Sequence, residues 1–362
     1  MRVLIIFNHP APYKVKAFNE LSKYCDLTVL FERTKAKDRP DSFYDANEYK
    51  FNAIFLKDGY IGNEGTISNG PRKYIKEHHH EFDIIIMNGY SHFAEIKAIR
   101  YLHKHHIKFG LMINGGVVKK ESVLKKLYKT SLVNKADFYM SPSRYASKYL
   151  EYYGANKNNI YKYIYSNLRE KEILASPIKD KTDLRKRFNL PLDKKIFINA
   201  CQFIERKNNM QLLSLFTNRN DYLVLVGEGP EKEKYLKFIE DNSMNNVVVL
   251  DFMKKEELFD LYKACDVHIT LSKQDIFGHT VLEAFANGLP VISSNNVISS
   301  LEYIVDGYNG YIVSLEDNNE IAKKMDEIGD SLSVNALESA RSNTFENSAK
   351  SIYQILGEVY GK

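Results

Sequence analysis

Two doubly wound α/β units, one after the other, are the fold this sequence predicts, and three observations carry that expectation. The chain has 362 residues, too many for one ordinary doubly wound core and comfortable for two of roughly 150–200 residues each. Short apolar runs, continuous rather than alternating, recur along it in two separate series. Helix-like patterns separate most neighbouring runs, and that alternation builds a parallel sheet covered by helices on both faces.

The first series occupies residues 4–7, 27–31, 53–56, 84–87, 110–113 and 138–140. The second occupies residues 196–200, 222–226, 247–250, 267–271, 290–293 and 311–313. Between them, residues 166–181 carry Pro177, several charges and no long period, so a linker is expected there. The expected organisation is a first domain over 1–165, the linker 166–181 and a second domain over 182–343. A closing segment, 344–362, has Ala349, Ile352, Tyr353, Ile355, Leu356 and Val359 at helical spacing, which predicts an amphipathic helix.

Composition narrows the class. Apolar residues make up 44% and charged residues 27%, the balance of a globular chain that folds throughout. Cys25, Cys201 and Cys265 are far apart and form no CxxC pair, which argues against a disulfide framework or structural zinc and fits a reducing cytoplasm. The first apolar run ends at Asn8-His9-Pro10, too short for a signal or membrane segment. A net charge of +5 is too mild to make nucleic acid the main partner, yet it suits anionic substrates or an anionic membrane face. The histidine groups at 78–80 and at 103, 105 and 106 close charged helical segments, where solvated helix ends explain them without a metal.

The stretch of greatest chemical interest is residues 271–290, LSKQDIFGHTVLEAFANGLP. It reads as strand end, tight loop, short helix, glycine stop and next strand. Gly278 lets the backbone approach a ligand, and the helix start around His279 and Thr280 offers free amides suited to a diphosphate. Asp275 and Glu283 stand eight positions apart. On one helix that is about 12 Å along the axis, too far for the paired carboxylates of a glycosidase, so the two acids have different tasks. One holding a sugar hydroxyl and the other ribose hydroxyls, with a diphosphate between, is the layout of a nucleotide-sugar.

This segment resembles the signature of family 4 glycosyltransferases of the GT-B fold, two Rossmann-like domains facing a cleft, in which two acidic residues are separated by seven others. Asp275 stands where glutamate is usual, while Glu283 and the following AFANGLP match. A second match is NACQFIERKN, residues 199–208. The family has glycine and arginine at the positions of Cys201 and Gln202, and its lysine falls at Lys207. The resemblance implies that Lys207 binds the donor diphosphate, with Arg206 supplying the charge Gln202 lacks and no metal required. It also implies that Phe277 and the turn at Gly227 line the donor site, and that Phe252 and Met253 meet the nucleotide base. The sequence LVGEGP at 225–230 lacks the third glycine of a dinucleotide fingerprint and does not signal NAD.

The first half matches more loosely. The proline-stiffened loop at residues 9–16 makes Lys14 a candidate phosphate or acceptor contact, with Tyr13 and, after the fifth run, Gly115 and Gly116 as further candidate acceptor contacts. Asn114 stands where many relatives have histidine. It has no acid–base chemistry at neutral pH and is expected to orient the sugar. Residues 117–135 mix lysines with Val118, Leu124, Leu127, Tyr128 and Leu132, the pattern of a helix that is either interfacial or packed on its own sheet. The resemblance implies a metal-independent, cofactor-free, retaining transferase at the inner face of the cell membrane. It would move a hexose from a nucleoside-diphosphate donor such as UDP-sugar to a glycan or lipid-linked acceptor in bacterial surface polysaccharide synthesis. The rival expectation is a non-catalytic subunit of the same fold, suggested by Asp275, Gln202 and Asn114 departing from the family pattern.

Overall fold

The computed structural model describes residues 1–36, 44, 48–56, 69–275 and 277–361. They form two compact units, one of Met1–Ser166 with Phe345–Lys362, the other of Asn167–Thr344.

The first unit holds seven parallel strands: β1 (Arg2–Phe7), β2 (Asp26–Phe31), β3 (Asn52–Phe55), β4 (Ile84–Asn88), β5 (Gly110–Met112), β6 (Phe138–Ser141) and β7 (Ile160–Lys162). Their order in the sheet is β3-β2-β1-β4-β5-β6-β7. Six of them fall on the six apolar runs. The seventh, β7, was not expected: it is three residues long, lies at the sheet edge and is only half-buried, so no continuous apolar run announces it. Helix Phe345–Tyr360 is part of this unit. Its Tyr353 ring lies 5.6 Å from that of Tyr24.

The second unit has six parallel strands: β8 (Ile196–Ala200), β9 (Tyr222–Val226), β10 (Val247–Leu250), β11 (Val267–Thr270), β12 (Val291–Ser294) and β13 (Gly310–Val313). They run in the order β10-β9-β8-β11-β12-β13. Successive residues of a strand point to opposite faces. Ile196, Ile198, Val224 and Val226 enter one core layer, while Phe197, Leu223 and Leu225 enter the other. Both layers are buried, which is why the sequence shows unbroken apolar runs.

Of residues 166–181, expected as a linker, Ser166 belongs to the first unit and 167–181 fold onto the second. Leu168 is fully buried in its core. Lys181 donates to the Cys265 carbonyl at 2.6 Å and to Asp266 at 2.7 Å. Pro177 and the scattered charges break the helical period here without freeing the chain.

Each sheet reverses its strand order once, between β1 and β4 in the first unit and between β8 and β11 in the second. Connections leave in opposite directions at such a point and open a crevice beyond the strands' carboxyl ends, where ligands of doubly wound folds bind. The two crevices are where candidate residues gather.

Candidate functional site

In the second unit, the loops after β8 and β11 lie side by side at the switch point. Lys207 ends a short 3-10 turn, Glu205–Lys207, and Asn208 beyond it takes a left-handed conformation with φ of 59°. That conformation costs asparagine less than most residues. The turn is tied to the neighbouring loop, since Lys273 N donates to the Arg206 carbonyl at 2.8 Å. The Lys207 ammonium then meets the carboxylate of Asp275 in a charge-assisted hydrogen bond. Arg206 Nη1 stands 3.9 Å from the same carboxylate and donates to the Gln274 carbonyl at 3.2 Å.

Asp275 is held from both sides of its peptide. Its N–H donates to Asn296 at 3.1 Å, and its carbonyl accepts from Ile298 at 3.0 Å. A Cβ on Gly278 would sit 3.2 Å from Asp275 Oδ2, so glycine keeps the carboxylate's surroundings open. The helix beyond begins at Thr280 and is short, Thr280–Ala286, with Phe277, Gly278 and His279 forming the turn before it. Glu283 therefore lies in the first turn. Its Oε1 accepts from Asn167 Nδ2 at 2.6 Å, and burial raises its pKa. Lys255, bound to the Asn167 carbonyl and to Glu172, each at 2.9 Å, opposes that rise.

The turn at residues 227–229 explains the glycines that imitate a dinucleotide fingerprint. Gly227 has φ of 150°, and a Cβ there would lie 1.9 Å from the Cys201 carbonyl oxygen. Gly229 has φ of 154°, and its Cβ would lie 2.3 Å from the Phe203 carbonyl oxygen. The two glycines let the β9 turn close onto the β8 loop, where Phe203 N donates to the Glu228 carbonyl at 2.8 Å. They hold the segment that leads to Lys207. Gln202 is exposed on this loop. After β10, Phe252 is 75% exposed, whereas Met253 packs against the core.

In the first unit, a cavity of about 830 Å³ opens at the carboxyl ends of the strands, lined among others by Tyr13, Asn88, His92, Asn114 and Gly115. Residues 9–16 are not one stiff loop: Pro12 opens a helix, Pro12–Leu21, because its fixed φ and missing N–H suit the first helical position. The helix turns Lys14 inward. Its ammonium donates to Asn114 Oδ1 at 2.7 Å and lies 4.2 Å from the centre of the Tyr165 ring, and burial pulls its pKa down to about 7. Asn114 Nδ2 donates in turn to Asn88 Oδ1 at 2.9 Å. Lys14 thus orients Asn114 from beneath the cavity rather than reaching into it. Gly116 is called for by packing, as a Cβ there would meet the Tyr149 ring at 2.8 Å.

Sequence reasoning missed an acidic cluster beside this cavity, in which His92 and Glu95 line the wall and Glu32 is buried. Glu32 follows β2, and His92 and Glu95 begin the helix Phe93–Lys104, where Glu95 Oε2 accepts from His92 N at 3.0 Å. His92 Nδ1 lies 3.7 Å from Glu32 Oε2 and 3.5 Å from Glu95 Oε1. The two carboxylates raise the imidazole pKa to about 9, while burial pushes Glu32 up to about 7. The ligand atoms of the three fall within 4.8 Å of one another, a spacing that could also hold a metal ion. Their position just beyond strand ends on either side of β1 was the available signal. The histidines at 78–80 and 103–106 do sit at helix ends, with His78 bound to Glu81 at 2.7 Å.

Two Rossmann-like parallel sheets, each with polar groups at its switch point, place the chain in the GT-B fold class of glycosyltransferases. The crystal structure of Anabaena HepE in complex with UDP and glucose aligns over 100% of both chains with a TM-score of 0.73 at 17% identity. The apo form of the lipopolysaccharide outer core galactosyltransferase WaaB aligns over 99% of this chain and 100% of its own, with a TM-score of 0.73 at 13% identity.

Residues 180–343 match the family model described as Glycosyl transferases group 1, and the second unit is a domain of that family. The chain is 27% identical over 234 residues to the O-antigen biosynthesis glycosyltransferase WclY of Escherichia coli, covering 61% of this chain and 63% of that protein. It is 28% identical over 174 residues to the N-acetyl-alpha-D-glucosaminyl L-malate synthase of Bacillus anthracis, covering 46% of this chain and 45% of the relative. The aligned part thus spans less than two-thirds of the length of these curated relatives.

Proposed function

We propose that the protein is a retaining glycosyltransferase of bacterial surface polysaccharide synthesis, with a nucleoside-diphosphate sugar, UDP-sugar above all, as donor. The acceptor is a hydroxyl of a growing glycan on a lipid carrier. The observation that carries this reading is the Lys207–Asp275 pair at the switch point of the second unit. A donor diphosphate takes Lys207 and Arg206 as counter-ions, and Asp275, released from Lys207, accepts from a hydroxyl of the transferred sugar. Glu283 takes the ribose hydroxyls, and exposed Phe252 offers a face on which a base can stack. The UDP-bound HepE structures and the O-antigen relative support the choice of donor and pathway.

Chemistry then follows from charge. As the bond between the sugar's anomeric carbon and the diphosphate oxygen breaks, its electron pair and the negative charge go to the leaving phosphate. Lys207 and Arg206 stabilise that charge without a metal. The acceptor hydroxyl bonds to the anomeric carbon on the face being vacated, and its proton passes to a leaving phosphate oxygen, so configuration is retained with no protein base. Asn114, held by Lys14 and Asn88, orients sugar hydroxyls in the first unit. Incubating purified protein with a panel of nucleoside-diphosphate sugars and following release of the nucleoside diphosphate tests the reading. Slow hydrolysis of one UDP-sugar supports it; binding of a donor with no turnover under any condition, with or without membranes bearing acceptor, overturns it.

A further inference from the structure

The first unit buries a carboxylate that its surroundings leave unmatched. Glu32 stands just past the end of β2 and is 1% exposed, and among the described residues neither of its oxygens has a hydrogen-bond partner. Such a group is held at a cost unless a cation lies against it. Asn8 follows β1 as Glu32 follows β2, and its Oδ1 is likewise buried without a hydrogen bond. His92, after β4, has a buried Nδ1 that stands 3.7 Å from Glu32 Oε2 and 3.5 Å from Glu95 Oε1, too far for a good hydrogen bond to either. Strands β2, β1 and β4 are neighbours in the sheet, so the unmatched groups share one stretch of its carboxyl edge.

The separations point to the kind of cation. A tetrahedral ion with bonds of about 2.0–2.1 Å sets its ligand atoms about 3.3 Å apart. An ammonium held by hydrogen bonds of about 2.8 Å needs them about 4.6 Å apart. The observed 3.5 and 3.7 Å fit the metal better. Donor chemistry agrees, since one imidazole nitrogen and two carboxylates suit zinc, whereas magnesium and calcium favour oxygen alone and a larger shell. The arrangement is also fixed in advance. Glu95 Oε2 accepts from the His92 N–H at 3.0 Å, which orients the two side chains together at the start of helix Phe93–Lys104. Gly89 has φ of 95°, and a Cβ there would lie 3.4 Å from Glu95 Oε1, so glycine keeps that oxygen uncrowded.

We propose that Glu32, His92 and Glu95 form a zinc site in the first unit, with His92 Nδ1 and one oxygen of each carboxylate as ligands. His92 and Glu95 line the cavity of about 830 Å³, while buried Glu32 closes the site from behind. The fourth position therefore opens on the cavity, where water or an oxygen of a bound molecule takes it. With no ion bound, a protonated imidazole between the two carboxylates stands in for the cation, and zinc releases that proton. All three residues belong to the first unit, so the site goes beyond the transferase reading and leaves its metal-free treatment of the donor diphosphate as it is.

Calorimetric titration of zinc chloride into the full chain, first stripped by dialysis against a chelator, tests the proposal. One zinc per chain with a Kd of about a micromolar or tighter is expected, together with a rise in melting temperature. E32Q and E95Q keep the shape of the side chains and should each weaken zinc binding at least about 100-fold with circular dichroism unchanged. If E32Q does not fold, E95Q on the cavity wall decides. Cobalt(II) in place of zinc should show the visible bands of a tetrahedral ion, lost in E95Q. The histidines at 78–80 precede β4, at the opposite edge of the sheet, and are the obvious competitor. H78Q/H79Q/H80Q should keep the one tight zinc. A wild type that takes up no zinc overturns the proposal, as do E32Q and E95Q that bind it as tightly as the parent. Zinc lost in the triple histidine variant and kept in E95Q overturns it too, and magnesium bound as tightly as zinc overturns the choice of ion. The titration uses neither donor nor acceptor, so its failure leaves the transferase reading standing.

Discussion

The two switch points share a topology and differ in chemistry. In the second unit, the loops after the two strands that flank the reversal bring a lysine and an aspartate into contact, with Arg206 beside them. In the first unit, the residues around the reversal are amides and an imidazole set between carboxylates, over a wide cavity. Cationic groups suit a diphosphate that gains charge as it leaves. Amides and acids suit the hydroxyls of a sugar. On the proposed reading, one topology serves two binding tasks through a handful of side chains at strand ends, and the family model covers the cationic one.

If the division is right, damage to one crevice leaves the other's ligand untouched. The largest effect is expected from E283A. It removes the proposed ribose contact and leaves Asn167 Nδ2 without its 2.6 Å partner. Calorimetry should show UDP affinity falling at least about 100-fold, beyond a stability loss of about 1–3 kcal/mol. Unchanged affinity would remove Glu283 from the site. G227A comes next: a methyl 1.9 Å from the Cys201 carbonyl oxygen cannot be absorbed by a side-chain shift. It should cost ~3 kcal/mol or more, lowering the melting temperature of the second unit by about 6–12 °C with the first unit unaffected.

K14M acts on the other side. Without the 2.7 Å bond from its ammonium, Asn114 is no longer fixed, and turnover should fall about tenfold while donor affinity holds. Equal losses in both would mean that Lys14 serves the donor. The smallest effect concerns pH. His92 in the folded protein has a pKa of about 9, above its ordinary 6.5. Its contribution to stability is therefore complete below pH 6.5 and lost as pH rises through 9. H92Q should melt a few degrees below the wild type at pH 6, with the gap closing by about pH 10. Lys14, whose pKa is lowered and whose contribution runs the opposite way, is present in both proteins and cancels.

Much of this was legible before any coordinates. Strands buried on both faces announce themselves as unbroken apolar runs, so β1–β6 and β8–β13 could be read, while the short edge strand β7 could not. Lys207 and Asp275 were legible because motifs record side chains whose spacing is local, although their contact spans two loops. Lys14 was misplaced for the same reason inverted. Pro12 was read as loop stiffening, when at the first helical position it starts the helix that turns Lys14 inward. The expected helix over 117–135 begins only at Val123, after the Ser122 cap. Glu32, His92 and Glu95 form no motif, since their proximity comes from strand order alone.

The most direct test of a donor site built on the second unit's switch point is calorimetric titration of UDP into the wild type, K207A and N114A. K207A should lose about 10- to 100-fold in affinity, the worth of a charged hydrogen bond, and N114A should match the wild type. A K207A protein that is folded and binds UDP as well as its parent would contradict the account.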